Sequence, residues 1–414
     1  MSNKPGLAVV ALETPAASST ATATAPAPQA PQKPAATVPA VVDMKYLIRA
    51  LIKYNASDLH IKVGRPPLYR INGKLIAAKM PDLAQEQIEA ILFSVLSKKQ
   101  KADLEEFRHV DFSIGFRELG RFRCHAYFQR GTLSAAIRMI PLAVPSIDDL
   151  GVPSVLKELS QRPRGLLLVT GPTGSGKSTT LAAIIQYINE NNHAHVLAIE
   201  DPIEYMFRDN KASITQREVG SDARTLKEGL IAGLREDPDV IMIGEIRDCE
   251  MIQAALTAAE TGHLVISTLH TNDAASTIDR VVDVFPAESK NQVRIQLASC
   301  LVGVVSQQLV LRADGSGRVP ACEVMVKSPV IENYIMKGEL DKIPGAIAGS
   351  SNYYKMQTMN GALRKLITAG VITPEEGLKS SSNPDELRIW LEGVSRDEGY
   401  EIANGRAKSD GNST

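Results

Sequence analysis

The segment Gly171-Pro172-Thr173-Gly174-Ser175-Gly176-Lys177-Ser178 fills the pattern G-x-x-x-x-G-K-[ST], and it constrains this 414-residue chain more than any other feature. An apolar run, Leu166-Leu167-Leu168-Val169, leads into it, and a helix-compatible stretch from Ser178 to Ile185 follows. A strand, a glycine-rich turn and a helix in that order form a phosphate cradle. The glycines let backbone N–H groups turn toward an anion, and the helix N-terminus adds its positive dipole end. In such a cradle Lys177 reaches the β- and γ-phosphates, and the Ser178 hydroxyl holds Mg²⁺. A merely connecting turn could share the Gly/Ser composition without the strand and helix on either side.

The length exceeds one typical core, so two domains with appendages are expected. A formal net charge of −1 supplies no overall basic field, so no nucleic-acid partner is expected. Cys124, Cys249, Cys300 and Cys322 lie far apart and form no C-x-x-C pair, which points away from a zinc site or a disulfide framework. They read as small buried residues in a reducing cytosol. No run of apolar residues is long enough to span a bilayer, and the N-terminus lacks the layout of a secretory signal. The expected location is cytoplasmic, with any membrane contact indirect.

Residues 1–42, rich in Ala, Pro, Thr and Ser, read as a disordered arm. A first domain over 43–140 begins with Leu47, Ile48, Leu51 and Ile52 at helical spacing behind an Asp43 N-cap. Pro67 to Ile76 reads as a hairpin around Asn72-Gly73, and a single helix is expected from Gln85 to Phe107. Strands are expected over Asp111–Phe116, Arg121–Phe128 and Leu133–Ile140. A linker over 141–146 leads to an α/β domain over 147–395, with a flexible tail over 396–414.

In that second domain, strands at Leu166–Thr170, Val196–Glu200, Val240–Ile243 and Leu264–Thr268 alternate with helical segments, as in a largely parallel sheet. Ligands of such sheets sit beyond the carboxyl ends of the strands, where the suggestive polar residues also fall. Glu200-Asp201-Pro202-Ile203-Glu204 follows one strand, and Glu204 is the candidate base for the attacking water. Glu245 ends the strand that starts after Asp239, a Walker-B-like place for a Mg²⁺-holding carboxylate. His263 and His270 flank another strand at opposite ends and cannot both touch one phosphate; one is expected to sense nucleotide and the other to serve an interface. His270, at the carboxyl end, is the better nucleotide candidate. In the first domain Arg121 and Arg123 share one strand face, opposite Phe122, Cys124 and Ala126, where they either stabilise phosphoryl charge or are simply solvated.

Four stretches together resemble the Walker A, Asp-box, Walker B and His-box of secretion-type traffic ATPases: the phosphate loop, Ala198–Tyr205, Ile241–Asp248 and Thr261–His270. Gln216-Arg217-Glu218-Val219-Gly220, Thr277–Pro286 and Met356-Gln357-Thr358 resemble the type IV pilus retraction branch, and the similarity covers about Asp43 to Glu392. The resemblance implies a small PAS-like α+β domain followed by a RecA-like P-loop ATPase domain with C-terminal helices, assembled as a homo-hexamer. It implies ATP and Mg²⁺ as cofactors, a nucleotide set running from Gly171 through Thr179, and Arg121, Arg123 and Arg138 as nucleotide-sensing arginines. ATP would bind between the two domains. The implied partner is a platform protein of the inner membrane, with a paralogous retraction ATPase as a further candidate. The implied location is the cytoplasmic side of that membrane at the pilus base.

The run Pro329–Glu339 keeps only Ile331, Asn333 and Ile335 of the motif tied to retraction, and it stands closer to accessory retraction ATPases. Assembly and type II secretion ATPases carry paired C-x-x-C ligands that this chain lacks. A DNA translocase would show a basic, aromatic-interleaved surface. A non-catalytic scaffold would have no use for Lys177, Ser178, Glu204 and Glu245 together.

Overall fold

The computed structural model describes residues 10–11, 42–141 and 143–397. The expected disordered arm and terminal tail lie outside these residues, apart from Val10–Ala11 and the first and last positions that join the folded parts. The chain divides into two compact units between Leu142 and Ala143. Among the described residues no helix is long and apolar enough to cross a membrane.

In the first unit the elements run β1 (Val10–Ala11), α1 (Met44–Lys53), β2 (Asp58–Lys62), β3 (Leu68–Ile71), β4 (Lys74–Lys79), α2 (Gln85–Phe93), α3 (Lys98–Phe107), β5 (His109–Phe116), β6 (Gly120–Gln129) and β7 (Thr132–Met139). Asp43 caps α1 by accepting from the Tyr46 N–H, so the helix starts where its carboxylate satisfies an orphan donor. Asn72 and Gly73 both have positive φ, which closes the β3–β4 hairpin in the turn that matches strand twist. The helix expected from Gln85 to Phe107 is instead two helices. Ser97 opens the second by exchanging hydrogen bonds with Gln100, and that capping box outweighs continuation through Ser94–Leu96. Strands pair in the order β1-β4-β3-β2-β7-β6-β5, and Phe122, Cys124 and Ala126 of β6 are buried on the core face.

The second unit begins with the short helices α4 (Ile147–Leu150) and α5 (Val155–Leu159). Alternation then follows: β8 (Gly165–Thr170), α6 (Lys177–Asn191), β9 (His195–Glu200), β10 (Ser213–Glu218), α7 (Leu226–Gly233), β11 (Val240–Ile243), α8 (Cys249–Glu260), β12 (Leu264–Leu269), α9 (Ala274–Asp283) and α10 (Lys290–Cys300). A hairpin, β13 (Leu301–Leu311) and β14 (Arg318–Val326), precedes the helices α11 (Pro329–Lys337), α12 (Ile343–Gly349), α13 (Met359–Thr368), α14 (Pro374–Ser380) and α15 (Pro384–Asp397). The sheet order is β10-β9-β11-β12-β8-β13-β14, parallel throughout except for the β13–β14 pair.

Strands β8, β11 and β12 are buried at every position because helices cover both faces, which is why they read as predominantly apolar runs. The last helices have a core of their own, where Leu363, Ile372 and Leu387 pack with Val310 and Val319 of the hairpin. All four cysteines are free thiols; Cys124, Cys300 and Cys322 are buried and Cys249 is half-buried.

Candidate active site

The phosphate loop leaves β8 at Gly171, whose φ is +141°. A Cβ built there would stand 2.1 Å from the carbonyl oxygen of Gln307, so only glycine lets the loop run this close to β13. The buried side chain of Gln307 grips the same loop. Its Nε2 donates to the Ser175 carbonyl at 2.8 Å, and its Oε1 accepts from the Thr180 hydroxyl at 2.8 Å. Just below, the hydroxyls of Thr170 and Ser306 share a 2.8 Å hydrogen bond between β8 and β13. Sequence reading missed Gln307, since no local spacing ties residue 307 to residue 175.

Lys177 opens α6 and is 9% exposed. Its Nζ donates to the carbonyls of Gly171 at 2.7 Å and Pro172 at 2.9 Å, and stands 3.5 Å from His270 Nδ1. The opposite ring nitrogen, Nε2, lies 3.0 Å from Glu245 Oε1, while Glu245 Oε2 accepts from Arg247 at 3.0 Å. Burial lowers the pKa of Lys177, with Glu245 opposing the shift. Burial pushes Glu245 up, but Arg247 and His270 outweigh it and leave the carboxyl below its usual range. The structure thus joins Lys177, His270 and Glu245 in one polar chain at the carboxyl ends of β8, β11 and β12.

Glu204 lies in the segment after β9 and is exposed, while the next residue ties that segment to the phosphate-loop helix: the Tyr205 hydroxyl is 3.0 Å from Thr179 Oγ1. Ser178, one residue earlier in the first turn of α6, is exposed. Its hydroxyl and the Glu245 carboxylate are hard oxygen donors of the kind Mg²⁺ prefers. Ser175 Oγ is buried without a hydrogen-bond partner among the described residues, which suits a loop that wraps an oxygen-rich ligand. The residues present therefore fit a Mg²⁺–nucleotide.

His263 has a different job from His270. Its Nδ1 lies 2.9 Å from the Ala258 carbonyl and 3.4 Å from the Thr261 hydroxyl, which satisfies the end of α8.

In the first unit Arg123 of β6 is in register with Arg138 of β7, and Arg138 with Asp58 of β2. Asp58, 7% exposed, pairs with Arg138 Nε at 2.8 Å and with Arg70 Nε at 3.4 Å. Burial works against its ionisation, but the hydrogen bonds from Arg138 and Ser57 and the arginine charges hold the carboxyl below its usual range. Arg70 and Asp58, both missed in the sequence, place one acid in a row of arginines that crosses the sheet.

This fold and this site define a P-loop ATPase. Residues 33–368 match the model of the type II/IV secretion system protein family, and the chain belongs to that family. It is 44% identical over 346 residues to the type IV pilus retraction ATPase PilT of Pseudomonas aeruginosa, covering 84% of this chain and 100% of that protein. Identity to the type IV pilus ATPase PilU of the same organism is 38% over 350 residues, covering 84% of this chain and 91% of that one. Among solved structures, the pilus retraction motor PilT with bound ADP superposes with a TM-score of 0.79 at 45% identity, covering 84% of this chain and 99% of that chain.

Proposed function

We propose that this chain is the motor ATPase of type IV pilus retraction, working as a homo-hexamer docked on an inner-membrane platform protein. The observation that carries the reading is its 44% identity to a retraction ATPase along that protein's whole length.

In the proposed reaction the backbone N–H groups of Thr173–Ser178 bind the phosphates of ATP, and Lys177 exchanges its two loop carbonyls for oxygens of the β- and γ-phosphates. Ser178 and Glu245 would hold Mg²⁺, which would supply positive charge to offset that of the phosphates. Glu204 accepts a proton from water as the water oxygen bonds to the γ-phosphorus and the bridging bond to ADP breaks. Arg121, Arg123 and Arg138 take part in nucleotide sensing, and His270 links Lys177 to Glu245 so that the lysine's departure is felt at the carboxylate. Loss of the γ-phosphate contacts then resets the subunit.

A second reading, an accessory retraction subunit, is favoured by α11, where only Ile331, Asn333 and Ile335 of the retraction motif are kept. Counting surface pili and measuring surface motility in cells lacking this gene separates the readings. Excess pili with lost motility fits the motor. An unchanged count favours the accessory subunit, and a loss of pili contradicts both.

A further inference from the structure

The motif Gln216-Arg217-Glu218 at the end of β10 lies outside the phosphate loop, yet it meets the segment that carries Glu204. Strand β10 pairs with β9 in parallel register, with Glu218 beside Glu200 and Gln216 beside Ala198. The period-two alternation of a strand puts Gln216 and Glu218 on one face, and Glu200 shares it.

From there the three side chains capture the backbone of Asp201–Phe207. Glu200 Oε2 accepts the Glu204 N–H at 3.2 Å. Glu218 Oε2 accepts the Ile203 N–H at 3.1 Å. Gln216 Nε2 donates to the Tyr205 carbonyl at 2.8 Å, and its Oε1 accepts the Phe207 N–H at 3.0 Å. The same amide reaches Glu200 Oε1 at 3.4 Å, which ties the clamp to itself. The Tyr205–Thr179 contact ties the same segment to α6.

Glu200 and Glu218 are 6% and 4% exposed. Two carboxyl groups side by side at that depth cost desolvation and mutual repulsion, and packing alone would be served as well by apolar residues. Their acceptor oxygens are instead spent on the N–H groups of a short irregular segment that cannot satisfy itself.

We infer that Glu200 and Gln216 are positioning residues for hydrolysis, fixing the segment Asp201–Phe207 so that Glu204 stands ready beside the phosphate loop. The inference rests on the proposed role of Glu204 as base. Neither residue touches the reacting atoms; both act through the backbone of residue 204 and its neighbours.

The test is a double-mutant cycle on the full-length chain, with ATP hydrolysis followed in single-turnover and steady-state modes. Glu200→Ala and Gln216→Ala are each expected to lower kcat about 10- to 100-fold, the loss that follows from misplacing a catalytic group. KM for ATP and binding of a non-hydrolysable ATP analogue are expected to stay within about twofold, because the phosphate loop is untouched. In a Glu204→Gln background neither substitution should reduce the residual rate further, since the group they position is already gone. Gln216 is only half-buried, so Gln216→Ala carries the test if Glu200→Ala does not fold. Unchanged kcat in folded Gln216→Ala, or losses that multiply with that of Glu204→Gln, would overturn the inference while leaving the base assignment intact. Wild-type turnover by Glu204→Gln would overturn both.

Discussion

Two loops border the first turn of α6, and they are built on opposite principles. The phosphate loop, Gly171–Ser178, takes its shape from backbone freedom at Gly171, Gly174 and Gly176, all with positive φ, and one strand residue, Gln307, pins it from outside. The acid segment, Asp201–Phe207, has no glycine, and its form is imposed by the side chains of Glu200, Gln216 and Glu218. A loop that binds by its own amides must keep its side chains out of the way. A loop that presents one carboxylate can instead be held from behind by borrowed acceptors. Substitutions in the first loop should therefore act on nucleotide binding and on turnover with it, whereas those in the second should act on turnover alone.

The largest effect is expected from Lys177→Ala, which removes the cation at the phosphates. ATP turnover should fall about 1000-fold or more while far-UV circular dichroism stays that of the wild type. Gly171→Ala comes next. With φ at +141° and a Cβ set 2.1 Å from the Gln307 carbonyl oxygen, it should cost roughly 3–4 kcal/mol in chemical denaturation and abolish nucleotide binding.

Glu200 gives the acid segment a pH signature. Burial, reinforced by the charges of Glu204 and Glu218 and opposed by hydrogen bonds from Glu204 and Gln216, raises its pKa from 4.5 to about 7. The folded chain then keeps a proton that the unfolded chain has lost. The corresponding stability is full below pH 4.5 and disappears as the pH rises through about 7, a difference of up to roughly 3 kcal/mol. Glu200→Gln should flatten this part of the stability–pH curve, as read by denaturation at a series of pH values. An unchanged slope would mean that Glu200 is ionised in the folded protein and that its burial is offset elsewhere.

Gln307→Ala should weaken nucleotide binding about thirtyfold with kcat nearly unchanged, the opposite split from Gln216→Ala, because it removes two hydrogen bonds worth roughly 1 kcal/mol each. His263→Ala should be the mildest, lowering stability by about 1 kcal/mol through the lost contact with the Ala258 carbonyl and leaving turnover at the wild-type level. A large loss of activity there would return His263 to the site and blur its distinction from His270.

The contrast between the loops also explains what could be read in the sequence. Glycine spacing is local, so Gly171–Ser178 and the strand and helix around it were legible, as was the capping aspartate of α1. The buried strands β8, β9, β11 and β12 were legible because helices on both faces leave them predominantly apolar. The roles of Gln307, Gln216 and Glu218 were not, since each acts on a partner fixed only by sheet register, although Gln216 and Glu218 stood out as part of a motif. Asp58 and Arg70 escaped for the same reason: their pairing depends on β2 lying between β3 and β7. The break between α2 and α3 was a different kind of miss. Its Ser97–Gln100 capping box was present in the sequence but was overlooked within an otherwise helical stretch.

The division of labour between the two loops is tested most directly by measuring ATP binding and single-turnover hydrolysis side by side on Glu204→Gln in the full-length chain. The account expects wild-type affinity for ATP with hydrolysis all but lost. Hydrolysis at the wild-type rate would contradict it, and so would a loss of binding that matched the loss of turnover.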